Sequence, residues 1–122
     1  MIAAYLYLNA VLYFILAVWC VVLPEKTATA LGFQLLNGSG KSEYFVIYGG
    51  LQLGLALFFA YCAYLPENQA MGLKFSLFLY VPIFTCRLIS FLRFQEIGFT
   101  TIATAGLEAV LTAAVLYLYF RN

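Results

Sequence analysis

Two charged residues stand inside apolar stretches, Arg87 in Tyr80–Leu92 and Glu108 in Ile97–Phe120. A charge at lipid depth costs roughly 2.5–3.5 kcal/mol on the insertion scale, so a residue kept there is a functional candidate by default. Arg87 offers a planar fork of donors suited to carboxylate or phosphate oxygens, and Glu108 offers a counter-charge or a proton acceptor. Ser90 places a hydroxyl three residues after Arg87, on the same helical face. Glu43 sets a carboxylate at the head of the preceding apolar run, and Tyr48 follows within it. This set admits two main readings. One is a buried ion pair that fixes helix register and does nothing else. The other is a polar cavity for a small molecule or headgroup, lined by Arg87, Ser90 and Glu108, with Glu43 at its mouth and Tyr48 flanking. A proton-coupled path is a third.

The elements that must position these residues are apolar helices. The chain has 122 residues, 66% hydrophobic and 9% charged. A soluble domain carries about 25% charged residues, so the solvent expected for this surface is lipid. Ile2–Leu23 carries no charge, and neither does Tyr44–Leu65. Each is long enough to cross roughly 30 Å of hydrocarbon at about 1.5 Å per residue. Met71–Leu92 and Ile97–Phe120 are two more spans, holding Lys74 and Arg87 in the first and Glu108 in the second. The expected fold is therefore all-α: one domain, a bundle of four transmembrane helices at about 2–23, 44–65, 71–92 and 97–120. The first span lacks a basic leading region and a small-residue cleavage site, so it reads as a retained helix.

Pro24-Glu25-Lys26 ends the first span, and Thr27–Asn37 is too short to cross, which predicts a short interfacial or re-entrant segment. Both termini and the 66–70 loop then share one side, and the 24–43 segment and the 93–97 turn share the other. Arg87 lies about 9 Å below that second side and Glu108 about 16 Å below it, so the two can meet. Their helical stripes agree: Thr101, Thr104, Glu108 and Thr112 align on one helix, and Tyr80, Ile83, Arg87 and Ser90 on another. Glu43, Ile47, Gly50 and Gly54 align on the second span, with Gln52 on its opposite face. Gly49, Gly50 and Gly54 read as helix-packing positions, with Gly50-Leu-Gln-Leu-Gly54 matching the small-x-x-x-small pattern of close helix contacts. Pro82 predicts a kink one turn after Phe78, and Asn9 an interhelical hydrogen bond.

Several function classes drop out. Histidine and aspartate are absent, which removes triads and dyads that need them. Cys20, Cys62 and Cys86 occur singly in apolar runs and read as small hydrophobes, so neither a metal nor a cofactor is expected. Net charge is +1, which gives no footprint for nucleic acid. Gly38-Ser-Gly-Lys41-Ser42 resembles the tail of a phosphate-binding loop, but Leu35 stands where the first glycine is required. It reads as a polar loop. Positive charge divides evenly between the two sides, so orientation is undetermined.

Taken together, Glu43 with Tyr48-Gly49-Gly50, Arg87-Leu-Ile-Ser90 and Leu107-Glu108 resemble the family catalogued as domain of unknown function 4345. The resemblance covers nearly the whole chain. It implies a small four-helix protein of the bacterial inner (cytoplasmic) membrane and a shared set of residues, namely Glu43, Tyr48, Gly49, Gly50, Arg87, Ser90 and Glu108. Tyr44 and Phe45 stand where family members often carry arginine, and Gln95-Glu96 where they tend to carry Asp-Gly. No activity is implied.

The function expected is binding of a small amphipathic or anionic ligand, or a lipid, in an intramembrane pocket. The alternative is an accessory or assembly subunit that meets a membrane-protein partner or a second copy through its glycine face. A lipid-directed enzyme would need Glu108 or Glu43 as its base, and the sequence does not decide whether any reaction occurs.

Overall fold

The computed structural model describes residues 1–122. It contains five helices and no strand: α1 (Ile2–Val22), α2 (Pro24–Ala30), α3 (Gly38–Tyr64), α4 (Gln69–Arg93) and α5 (Phe99–Arg121). A short 3-10 turn, Pro66–Asn68, leads into α4. Four of the helices, all but α2, are long and apolar enough to cross a membrane. Large apolar side chains cover the outside, among them Phe14, Leu57, Phe78 and Val110.

Local chemistry sets the boundaries. Leu23 leaves helical geometry, and Pro24 opens α2 at the first-turn position where its missing N–H costs nothing. The proline expected only to stop α1 therefore also starts α2. At the other end of α2, Gly32 takes φ +87°. Its N–H donates to Thr29 O at 3.0 Å, and the Phe33 N–H donates to Ala28 O at 2.8 Å. These two bonds form the left-handed glycine cap that satisfies the last carbonyls of a helix.

The turn expected at Asn37–Gly40 is instead the first turn of α3. Asn37 sits in extended geometry and accepts the Gly40 N–H on its side-chain oxygen at 2.9 Å, as an N-cap does. The cap lets α3 begin six residues before the expected start at Tyr44. Within α3, residues Phe45–Leu51 wind as a π-helix, a feature frequent at functional sites.

The core lies toward the termini. Leu6 and Ala10 of α1, Phe59 and Cys62 of α3, Leu73 and Tyr80 of α4, and Leu111 and Val115 of α5 form one buried cluster. Asn9 is fully buried within it. Asn9 Nδ2 donates to Tyr5 O at 2.8 Å, and its Oδ1 accepts from the Tyr80 hydroxyl of α4. The interhelical bond expected for Asn9 is present. Beyond Tyr80, no residue of α4 is buried. The helix runs unbroken through Pro82, and the side chain of Phe78 points outward.

A smaller cluster of Cys20, Ala28 and Tyr44 ties α2 to the bundle. The Tyr44 hydroxyl donates to Thr27 Oγ1 at 2.8 Å, and the Tyr44 ring stacks on Tyr48 with centroids 4.5 Å apart. Cys20 and Cys62 are buried, as expected of small hydrophobes, but Cys86 is exposed on the outer face of α4.

Candidate functional site

Where burial of α4 stops, the helices line a half-open cavity of about 470 Å³. Leu12, Tyr13 and Leu16 of α1 form one wall, and Tyr48, Gln52 and Leu55 of α3 form another. Ile83 and Arg87 of α4 face Thr104, Leu107 and Glu108 of α5, and Leu31 and Phe33 close the end beneath α2. Most of the lining is hydrophobic, and the only charged groups in it are Arg87 and Glu108.

Those two residues pair directly. Arg87 Nη2 donates to Glu108 Oε1 at 2.5 Å, and Arg87 Nε donates to the same oxygen at 3.1 Å and to Oε2 at 3.4 Å. The Glu108 side chain is 9% exposed and that of Arg87 28%. The carboxylate is therefore the deeper member, and the guanidinium the more exposed one. A guanidinium has five N–H donors, so Nη1 and one hydrogen of Nη2 remain outside this pair. The threonines beside Glu108 bond to the backbone of their own helix and leave its carboxylate to Arg87: Thr112 Oγ1 donates to the Glu108 main-chain carbonyl at 2.6 Å, and Thr104 Oγ1 to that of Thr100 at 2.8 Å.

Gln52 is the second polar feature. Its Oε1 is buried and has no hydrogen-bond partner within the protein. An unsatisfied buried polar group costs about 1–3 kcal/mol. Tyr48 stands one helical turn earlier, beside Phe33 at 5.9 Å between ring centroids. Gly32 aims Phe33 at this point by turning the chain at the end of α2.

The residues singled out from the sequence thus divide. Arg87, Glu108 and Tyr48 meet at the cavity. Ser90 does not join them: its hydroxyl donates to Arg87 O at 2.7 Å, and the residue lines a separate cavity of about 430 Å³ beside Thr29–Gly32. Glu43 is exposed on the outer face of α3 and is not part of the lining, so it does not stand at the mouth. Gln52 lines the cavity and Glu43 does not, but Ile47, expected on the stripe of Glu43, lines it too, because Phe45–Leu51 winds as a π-helix and departs from 100° per residue. The glycines divide as well. Gly49 is buried, and a Cβ there would lie 2.6 Å from Val21 Cγ2 of α1, so it lets α1 and α3 close up. Gly50 and Gly54 point outward with open space around them, so they pack against nothing in this chain. Gly72 is also closely packed: a Cβ there would meet Cys62 Cβ at 2.8 Å.

Gln52, Tyr13 and Tyr80 line the cavity without having been singled out as site residues. For Gln52 the signal was present: it is the one amide within the uncharged run Tyr44–Leu65. For Tyr80 it was its place on the helical stripe of Arg87, and for Tyr13 there was none, since a tyrosine in such a helix reads equally as core or as interfacial belt.

Compared with known proteins, the chain matches no family model, and no curated protein or solved structure is similar enough to it to serve as a relative.

Proposed function

We propose that this is a multi-pass protein of a bacterial inner membrane that binds a small amphipathic molecule in the cavity between α1, α3, α4 and α5. Four apolar helices with large outward-facing side chains support the embedding. The observation that carries the binding reading is the cavity's composition: an apolar chamber of about 470 Å³ whose lining includes one ion pair, Arg87 with Glu108, and few other polar residues. Small-molecule sites typically measure roughly 300–1,000 Å³ and combine a hydrophobic lining with a few placed polar groups. Membership of the domain of unknown function 4345 is part of this proposal; it rests on Tyr48, Arg87 and Glu108 among others, and those three line the cavity.

The anionic version of the ligand is the weaker one. Glu108 already occupies the face of Arg87 that an anion would seek, at 2.5 Å. An apolar body with a polar head requires no displacement of that pair. Extraction of the purified protein with organic solvent, followed by mass spectrometry, tests the reading. A compound enriched over bulk lipid should accompany the wild-type protein and disappear in Thr104→Trp, which fills the cavity. Identical extracts from two folded proteins would contradict it.

A second reading is favoured by Gly50 and Gly54, which form a smooth outward strip unused by this chain. It makes the protein a subunit docked through α3 against another membrane helix. A crosslinked partner lost on Gly50→Leu would support it, and an unchanged monomer would sink it.

A further inference from the structure

Leu31 and Thr101 line two neighbouring cavities at once, the chamber between the spans and the cavity of about 430 Å³ where α4 ends and α5 begins. Resting on the ligand-binding reading above, we propose that the two form one site for a single membrane lipid. Its tail lies in the chamber, and its head, which bears a primary ammonium group, lies in the second cavity against Glu96.

The order of the two cavities matches that of a lipid. Ile47 and Leu51 of α3 and Leu107 of α5 line the chamber and are exposed, so they rim an opening between α3 and α5. Leu107 stands eight residues into α5, about 12 Å of helix rise from its start. In the embedding proposed above, that opening faces hydrocarbon. The second cavity sits higher, where the apolar spans give way to Arg93-Phe-Gln-Glu96. Polar above and apolar below is how a lipid of that leaflet already lies. Its tail can slip sideways between α3 and α5 while its head stays at the surface.

Glu96 selects the head. It is the only charged residue in the second lining, to which Thr29 and Thr101 add hydroxyls. Both ion pairs of the protein lie elsewhere, Lys41 with Glu25 and Arg87 with Glu108, and Arg93 rests its guanidinium over the Phe94 ring. A carboxylate accepts hydrogen bonds and donates none. A primary ammonium offers it charge and N–H donors together, the stronger kind of hydrogen bond. A quaternary ammonium offers charge alone, and a head of net negative charge is repelled. The threonine hydroxyls can donate to the phosphate that such a head carries. Glu96 is also the one non-glycine residue at positive φ, +58°. Side chains held in that region cost energy and cluster at ligand clamps. Glycine takes the conformation freely, so Glu96→Gly removes the carboxylate without straining the turn.

The full chain is placed in polymer-bounded nanodiscs holding equal parts of phosphatidylethanolamine, phosphatidylcholine and phosphatidylglycerol with identical acyl chains. Native mass spectrometry then reads the lipid retained on each chain. Phosphatidylethanolamine should be enriched at least threefold over either competitor. Glu96→Gly should unfold no more readily than the wild type, keep one lipid and lose the preference. A folded Thr104→Trp variant, with its chamber filled, should keep none. The contrast among the three lipids on the unaltered protein stands even where a variant does not fold. Equal retention of the three, a preference for either competitor, or undiminished enrichment in Glu96→Gly would overturn the inference while leaving a tail site in place. Lipid kept by a folded Thr104→Trp would separate the two cavities and overturn it as well. Retention of none of the three would overturn the inference alone, and the ligand-binding reading falls with it only if the organic extract of the purified protein holds no enriched compound.

Discussion

Arg87 and Glu108, one on α4 and one on α5, close a three-contact ion pair in the wall of the cavity, with the carboxylate the more deeply buried partner. The pair is both a strut and a lining. Removing one partner of a buried pair costs about 3–5 kcal/mol, whereas replacing both by apolar residues of similar size is often neutral. Arg87→Ala should therefore destabilise the bundle and abolish ligand retention. Arg87→Met combined with Glu108→Met should recover most of the stability and none of the retention. Unfolding in mixed micelles gives the first quantity, and the mass of co-purified compound gives the second. Recovery of both would make the pair dispensable to binding.

The glycines make a separable prediction. Gly72→Ala pushes a methyl group to 2.8 Å from Cys62 Cβ, an atom that cannot move without the helix. It should cost about 1–3 kcal/mol, the usual penalty of overpacking. Gly50→Ala and Gly54→Ala meet nothing within 4 Å. They should be neutral or stabilise by up to about 1 kcal/mol through helix propensity. Gly49→Ala lies between, because Val21 Cγ2 at 2.6 Å is the end of a side chain and can turn away. Thermal or detergent unfolding of the four variants checks the order.

Asn9 and Tyr80 form the hydrogen bond that joins α1 to α4 inside the core. Tyr80→Phe leaves a buried amide oxygen unpaired and should cost about 1–3 kcal/mol. Asn9→Leu together with Tyr80→Phe removes both ends of the bond and should cost less than the sum of the single changes. A double-mutant cycle measures that difference, and strict additivity would show that the bond contributes nothing.

Tyr44 ties the short helix α2 to α3. Losing its hydroxyl in Tyr44→Phe removes the 2.8 Å bond to Thr27 Oγ1. A net loss of about 0.5–1.5 kcal/mol is expected, felt locally rather than across the bundle. Hydrogen exchange should quicken over Pro24–Ala30 and stay unchanged in α5. Equal acceleration in both would contradict a local role.

Much of this architecture is legible in the residues. Uncharged runs mark the spans because a charge at lipid depth is expensive, and the same cost singles out Arg87 and Glu108 before any coordinates exist. Helical angles also separate Glu43 from Gln52. What the sequence hides is which of two opposed faces turns inward. That choice is made by Gly49, whose missing side chain lets α1 approach, and no periodicity distinguishes Gly49 from Gly50. The start of α3 is hidden for a different reason. Asn37-Gly-Ser-Gly40 has the composition of a turn, and only the bond from Gly40 N–H to the Asn37 side chain at 2.9 Å makes it a helix cap. Ser90 looked like a partner for Arg87 because it shares its face, but its hydroxyl is consumed by the backbone of its own helix.

The central claim is that the chamber behind Arg87 and Glu108 holds one amphipathic molecule. Native mass spectrometry of the protein released from membrane nanodiscs tests it most directly. The account predicts one added non-covalent mass per chain in the wild-type protein, absent from a folded Thr104→Trp variant. A bare wild-type chain, or the same adducts on both proteins, would contradict it.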